Sequence, residues 1–226
     1  MRHGRIFLIS GLGADQRTFD FLNLDYSEII TYINWIPPQP NEKLATYCSR
    51  LIEKYQIDQN SIVIGLSFGG VVAVEITKQV RLLKTIIISS VRNRQDLSLA
   101  FKISGKLHLY KLIPKNKMRK RNLFMARGFG ASTYDEKKLL ASVIKNMDVD
   151  VAKWAIGEMT NWKETGKNED VVRIHGSNDK IIPLKNQADY IIKDGGHMMI
   201  AQRADEISTI LNSEINTVLV NIDTNS

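Results

Sequence analysis

The chain has 226 residues, 43% of them hydrophobic and 24% charged, with a formal net charge of +7. That is the composition of an ordinary globular protein with enough residues for one substantial core, and it excludes a disordered or collagen-like chain. No apolar run approaches the ~18 residues that a bilayer-spanning helix needs, so no membrane span is expected. Cys48 is the single cysteine, which excludes an internal disulfide and a cysteine-built metal site. At the N-terminus Met1-Arg2-His3-Gly4-Arg5 has the charge of a signal peptide, but Ile6-Phe7-Leu8-Ile9 is too short for its apolar centre, and a cytoplasmic location is expected.

In chain order, residues 5–10 read as a first strand, followed by the glycine-bearing loop Gly11-Leu12-Gly13-Ala14 and by Asp15, placed to cap a short helix. Residues 28–36 read as a second strand, closed by Pro37-Pro38. Residues 44–55 form a helix with Leu44, Cys48, Leu51 and Ile52 on one face. Ser61-Ile62-Val63-Ile64 is a third strand, a helix follows Ser67, and residues 85–89 are a fourth strand. From about 91 to 167 the strands stop. Helices are expected over 97–113, 137–147 and 151–162, the last with Val151, Trp154, Ala155, Met159 and Trp162 on one core-packing face. Strands resume at 170–175 and 189–193, and a final helix carries Ile207, Ile210, Leu211, Ile215, Val218 and Leu219 at helical spacing. This alternation specifies an α/β fold, a mostly parallel sheet flanked by helices. Residues 1–91 and 168–226 form its core, and 92–167 are expected as a helical cap inserted over the carboxyl edge of the sheet.

The charge is concentrated. Residues 97–134 carry +9 and no Asp or Glu, against +7 for the whole chain, so the remainder sums to −2. A localised charge of this kind marks a surface for an acidic partner, or more plainly a solvated basic helix pair. Nucleic acid is not expected there, because base stacking calls for aromatic residues among the charges and Tyr110 is nearly alone.

The chemistry centres on Gly65-Leu66-Ser67-Phe68-Gly69-Gly70, which joins the β-branched third strand to the helix that follows. A strand-to-helix turn this sharp strains the serine backbone and leaves no room for side chains two residues to either side, which Gly65 and Gly69 satisfy. A serine hydroxyl needs a base to take its proton and a buried carboxylate to orient that base. In this strand-turn-helix class the acid and then the histidine follow the serine. Of the four histidines, His3 precedes the first strand and His108 lies among lysines. His197, in Asp194-Gly195-Gly196-His197, follows the last strand at the same sheet edge as Ser67 and is assigned as base. His175 competes with it, but its loop, His175-Gly176-Ser177-Asn178-Asp179, supplies the acid better: Asp179 is the orienter, and Asp96 is the runner-up. The oxyanion donors are the backbone amides of Phe68, directly after the serine, and of Leu12 in the first loop. A dinucleotide cradle at Gly11-Leu12-Gly13 is disfavoured by the missing third glycine and by the lack of an acidic residue ending the next strand.

Through these four motifs, in this order and spread over nearly the whole chain, the sequence resembles the α/β-hydrolases. The resemblance implies a sheet of up to eight strands with a helical cap after the sixth. This chain starts at what would be the third strand, so no N-terminal hairpin is expected, and Ser10 stands where many members have histidine. It also implies a serine hydrolase acting on a small carboxylic ester or thioester through Ser67, His197 and Asp179, with no metal or organic cofactor. A serine at the apex argues against the haloalkane branch, which needs a carboxylate there. The fold also serves as a ligand receptor without turnover. Small capped members include esterases that act on an acyl group attached to an acidic carrier protein, and Lys102, Lys106, Lys115, Lys117, Arg119, Lys120 and Arg121 would suit such a partner.

Overall fold

The computed structural model describes residues 4–108, 112, 128–164, 166, 168 and 170–223. Its strands are β1 (Arg5–Ile9), β2 (Ile30–Ile33), β3 (Ser61–Leu66), β4 (Lys84–Ile88), β5 (Val171–Gly176) and β6 (Tyr190–Ile192). They form one six-stranded sheet in the order β2-β1-β3-β4-β5-β6, and every pairing is parallel. Parallel neighbours require a crossover. Helix α1 (Leu44–Tyr55) connects β2 to β3, and α2 (Phe68–Thr77) connects β3 to β4. Helices α3 (Leu99–Lys106), α4 (Tyr134–Asn146) and α5 (Val149–Thr160) lie between β4 and β5, and α6 (Met199–Gln202) and α7 (Ala204–Asp223) follow β6.

The two faces of the sheet are sorted by the two-residue period of a strand. Phe7 and Ile9 of β1, with Val63 and Ile87, bury against α1, α2 and α5. Ile6 and Leu8, with Ile62, Ile64, Ile86 and Ile88, bury against Ile207, Leu211 and Ile215 of α7. Covering both faces is why these strands read as unbroken apolar runs rather than alternating ones.

The strand order reverses direction between β1 and β3. From β1 the chain moves outward to β2, then returns to lay β3 on the other side of β1, with Ile9 opposite Gly65. The loops leaving β1 and β3 therefore diverge and leave a crevice at the carboxyl edge, the place where open α/β sheets bind their ligands. Ser10-Gly11-Leu12 and Ser67 flank that crevice.

Element boundaries differ from the sequence expectation in four places. The second strand is confined to Ile30–Ile33 behind a 3-10 turn at Ser27–Ile29. Helix α3 is Leu99–Lys106 rather than 97–113, of which 109–111 and 113 lie outside the described residues. Helix α4 begins three residues early because Thr133 and Glu136 form a capping box, each side chain satisfying the other's backbone amide. Helix α5 likewise begins early, at Val149, where Asp148 accepts the amides of Asp150 and Val151. The N-terminus of α1 has no local cap. Glu158 of α5 accepts the Leu44 amide at 2.9 Å instead, tying α5 to α1.

Candidate active site

Ser67 has φ 53° and ψ −120°, a left-handed conformation that a non-glycine residue holds only under constraint from its surroundings. Those constraints are visible. The Ser67 amide donates to the Ile88 carbonyl at 2.9 Å, and the Ser67 carbonyl accepts from the Ser90 hydroxyl at 2.7 Å and the Gly70 amide at 2.9 Å. The two glycines act against different neighbours. A side chain at Gly65 would run into the backbone of Gly69 and Gly70, whereas one at Gly69 would run into the carbonyls of Ile9 and Ser10 in β1. The turn is thus wedged against the adjacent strand, which fixes the height of the serine above the sheet.

The structure brings Ser67, His197 and Asp179 together across three strands. His197 Nε2 lies 3.0 Å from Ser67 Oγ, and His197 Nδ1 lies 2.8 Å from Asp179 Oδ2. The other oxygen of Asp179 accepts the Ile181 and Ile182 amides, both at 2.9 Å. Asp179 and His197 are buried, and a carboxylate held by two amides and an imidazole has the partners its burial requires. Because Asp179 Oδ2 accepts, His197 Nδ1 carries the proton and Nε2 presents its lone pair to the serine hydroxyl. The β6 loop is fastened to the β5 loop by the Asn178 amide, which donates to the Gly195 carbonyl at 2.9 Å. Phe129 packs edge-on to the His197 ring at 5.3 Å between centroids, and the Phe129 carbonyl accepts the Met198 amide at 3.0 Å.

His175 stands behind the acid, not beside the serine. It is fully buried, its Nε2 donates to the Ile182 carbonyl at 2.8 Å, and that same nitrogen is 3.5 Å from Asp179 Oδ2. Its Nδ1 accepts from Arg173 Nε at 3.4 Å. Both ring nitrogens are thereby used by the neutral form. Burial, and next the Arg173 charge, hold the His175 pKa below the ordinary histidine value. Arg173 is also fully buried, with Nη1 3.2 Å from Asp96 Oδ2 but not aligned for a hydrogen bond. Asp96, the runner-up acid, is therefore occupied elsewhere: it pairs with Arg173 and accepts from the Arg92 amide at 2.9 Å and from Asn186 at 2.7 Å.

On the oxyanion side, Gly11-Leu12-Gly13-Ala14 is a turn closed by the Ala14 amide on the Gly11 carbonyl at 3.0 Å, with Gly13 at φ 71°. Leu12 sits at its second position. Phe68 opens α2, so its amide has no acceptor within the helix. One residue overlooked in the sequence serves both. The Trp35 indole donates to Ser10 Oγ at 3.2 Å and to the Gly11 carbonyl at 3.1 Å, and its ring stacks on Phe68 at 5.6 Å. Ser10 in turn donates to the Ala14 carbonyl at 2.8 Å. Where the resemblance led one to expect histidine, serine and tryptophan hold the loop.

A cavity of about 470 Å³ opens from Ser67 and His197. Leu140, Val143, Ile144 and Met147 from α4 and the residue after it wall one side, with Ala155 and Met159 of α5 nearby. Of the basic residues expected to receive a partner, Lys106 is exposed and Lys102 half-buried on α3, and neither lines this cavity. Lys115, Lys117, Arg119, Lys120 and Arg121 lie outside the described residues. Among the described residues no group of three or more His, Cys, Asp or Glu is placed to hold a metal ion, and no helix is long and apolar enough to cross a membrane.

No protein-family model matches the sequence, and no curated protein does. Solved structures match it over nearly its full length. A thermophilic esterase from Thermogutta terrifontis superposes with TM-score 0.71 at 13% identity, covering 96% of this chain and 92% of that one. A hydrolase from Oleispira antarctica gives 0.70 at 12% identity, with the same coverages of 96% and 92%. A bromoperoxidase from Bacillus anthracis gives 0.62 at 16%, covering 92% and 90%. These are α/β-hydrolase structures, and at such identities the likeness is one of fold: the chain has the α/β-hydrolase fold.

Proposed function

We propose that this α/β-hydrolase fold carries a serine hydrolase that cleaves a small carboxylic ester or thioester. The observation that carries the reading is the unbroken contact series from Ser67 Oγ to His197 to Asp179, at 3.0 and 2.8 Å, with two amide-bearing turns beside it. His197 takes the hydroxyl proton as Ser67 Oγ attacks the acyl carbon, and the amides of Leu12 and Phe68 receive the negative charge that develops on the carbonyl oxygen. Asp179 stabilises the imidazolium. The carbon–oxygen or carbon–sulfur bond then breaks, His197 returns the proton to the departing alcohol or thiol, and an acyl-serine ester remains. Water, deprotonated by the same imidazole, attacks that ester; the acid leaves and Ser67 recovers its proton.

The esterases among the structural neighbours support a hydrolase. Replacing Ser67 by Ala should lower kcat toward p-nitrophenyl acetate by about 10⁴-fold or more, while circular dichroism and the unfolding midpoint stay near those of the unsubstituted protein. Unchanged turnover in Ser67→Ala removes the mechanism. A fluorophosphonate that labels Ser67 in a protein without measurable hydrolysis would instead indicate a ligand receptor. Delivery of the acyl group by an acidic carrier protein requires binding that weakens steeply with salt.

A further inference from the structure

The chemistry of the cavity says what kind of substrate this serine faces. Among the described lining residues there is no Asp, Glu, Lys or Arg, and the polar side chains are Thr18, Ser67 and His197. The Thr18 hydroxyl is itself closed off by burial, so it offers nothing to a ligand. What remains polar belongs to the reacting groups. A charged substituent placed against these described residues would lose its water without gaining a partner, which is strongly unfavourable, whereas methylene groups gain by leaving water.

The volume narrows this further. About 470 Å³ lies in the lower part of the range of roughly 300–1,000 Å³ that small-molecule sites occupy. That accommodates one chain of medium length and not the paired long chains of a membrane lipid. Phe21, 36% exposed, lines the cavity together with the buried Leu140 and Ile144. Met147 packs against the oxyanion turn: a side chain at Gly13 would collide with it. A thioether side chain there adapts to chains of slightly different length. The substrate's acyl part stays bonded to Ser67 through both halves of the reaction, whereas the alcohol must depart before water attacks. The enclosed space therefore suits the acyl part, and the mouth suits the leaving group.

We infer that the site accepts the acyl part of its substrate as a neutral, unbranched chain longer than acetyl, with α4 and Met147 setting its limit. This rests on the serine hydrolase reading above, and the experiment separates the two. p-Nitrophenyl acetate, butyrate, hexanoate, octanoate, decanoate and dodecanoate are compared by kcat/KM. An increase of about fourfold per methylene over the shorter members of the series, equivalent to ~0.8 kcal/mol each, followed by a plateau or fall once the cavity is filled, is expected. An ester of the same chain ending in a carboxylate should react at least about 100-fold more slowly than octanoate. In Val143→Trp, which fills part of the cavity, the octanoate-to-acetate ratio of kcat/KM should fall at least about tenfold.

A flat chain-length profile overturns the inference, as does equal turnover of the carboxylate-ended ester, or length dependence confined to a series of acetate esters of longer alcohols. Displacement of the neutral dye N-phenyl-1-naphthylamine from Ser67→Ala by methyl octanoate, and not by methyl acetate, supports the inference without using turnover. If that displacement is seen while no ester is hydrolysed by the unsubstituted protein, the hydrolase reading fails and the cavity assignment stands. If methyl octanoate does not displace the dye, the cavity assignment fails whatever the turnover.

Discussion

The corner behind His197 and the cavity in front of it are built on opposite principles. In the corner most contacts are directional: Asp179 has one oxygen on His197 and the other on two amides, His175 spends both nitrogens, and Asp96 accepts two hydrogen bonds beside its ion pair with Arg173. In the cavity the walls are Leu, Val, Ile and Met, whose contacts are numerous and non-directional. A directional network fails when one atom changes, because the partner left behind is buried and unsatisfied. An apolar wall changes gradually with volume. In the proposed reaction the chemistry therefore rests on residues that tolerate little substitution, and the selectivity on residues that tolerate much.

The sharpest test of that contrast is Asp179→Asn, which keeps shape and removes charge. An asparagine amide facing Nδ1 favours the wrong imidazole tautomer, and kcat should fall about 10⁴-fold with little change in KM. A loss below about tenfold would mean that the corner is not directional in the sense argued.

Next in size is Asp96→Ala, which touches no reacting atom. It leaves the Arg173 guanidinium, fully buried, without its carboxylate. Uncompensated charges of this kind cost about 3–5 kcal/mol, read as a lowered urea midpoint at unchanged m-value. An unchanged midpoint would show the pair to be incidental.

The smallest effect concerns His175 and pH. Its folded-state pKa lies below the ordinary value of about 6.5, chiefly through burial. As pH falls through the unfolded value, the unfolded chain takes up a proton that the native protein refuses. Stability supplied by the neutral ring is complete above that value and is lost as pH falls below it, at up to ~1.4 kcal/mol per pH unit. His175→Gln, which retains a donor for the Ile182 carbonyl, should flatten the decline of the urea midpoint between neutral pH and about pH 5. An identical slope in both proteins would assign the titration to other groups.

Most of the fold could be read from the chain because its information is local. The central strands β1, β3 and β4 carry runs of three or more consecutive apolar residues, and the Ser67, Asp179 and His197 loops each follow a strand, so strand order alone carries them to one edge. The start of α4 is also readable, since Thr133 and Glu136 have capping-box spacing. Other features leave no local trace. Trp35 reads as the tail of a strand, and its role appears only when β2 is laid beside β1. Glu158 caps a helix 114 residues away, and Arg173 is unremarkable in a strand until Asp96 is found against it. These are relations between distant segments, and composition or periodicity carries no record of them.

The Asp96–Arg173 pair also bears on how the architecture can be altered. Asp96 lies in the first turn after β4 and Arg173 in a strand of the sheet, so a charge inside the core is balanced by a residue of the segment that joins β4 to β5. That segment is consequently not an interchangeable module. Anyone replacing it inherits an obligation: supply a carboxylate at that first turn, or replace the arginine with an apolar residue in the same step.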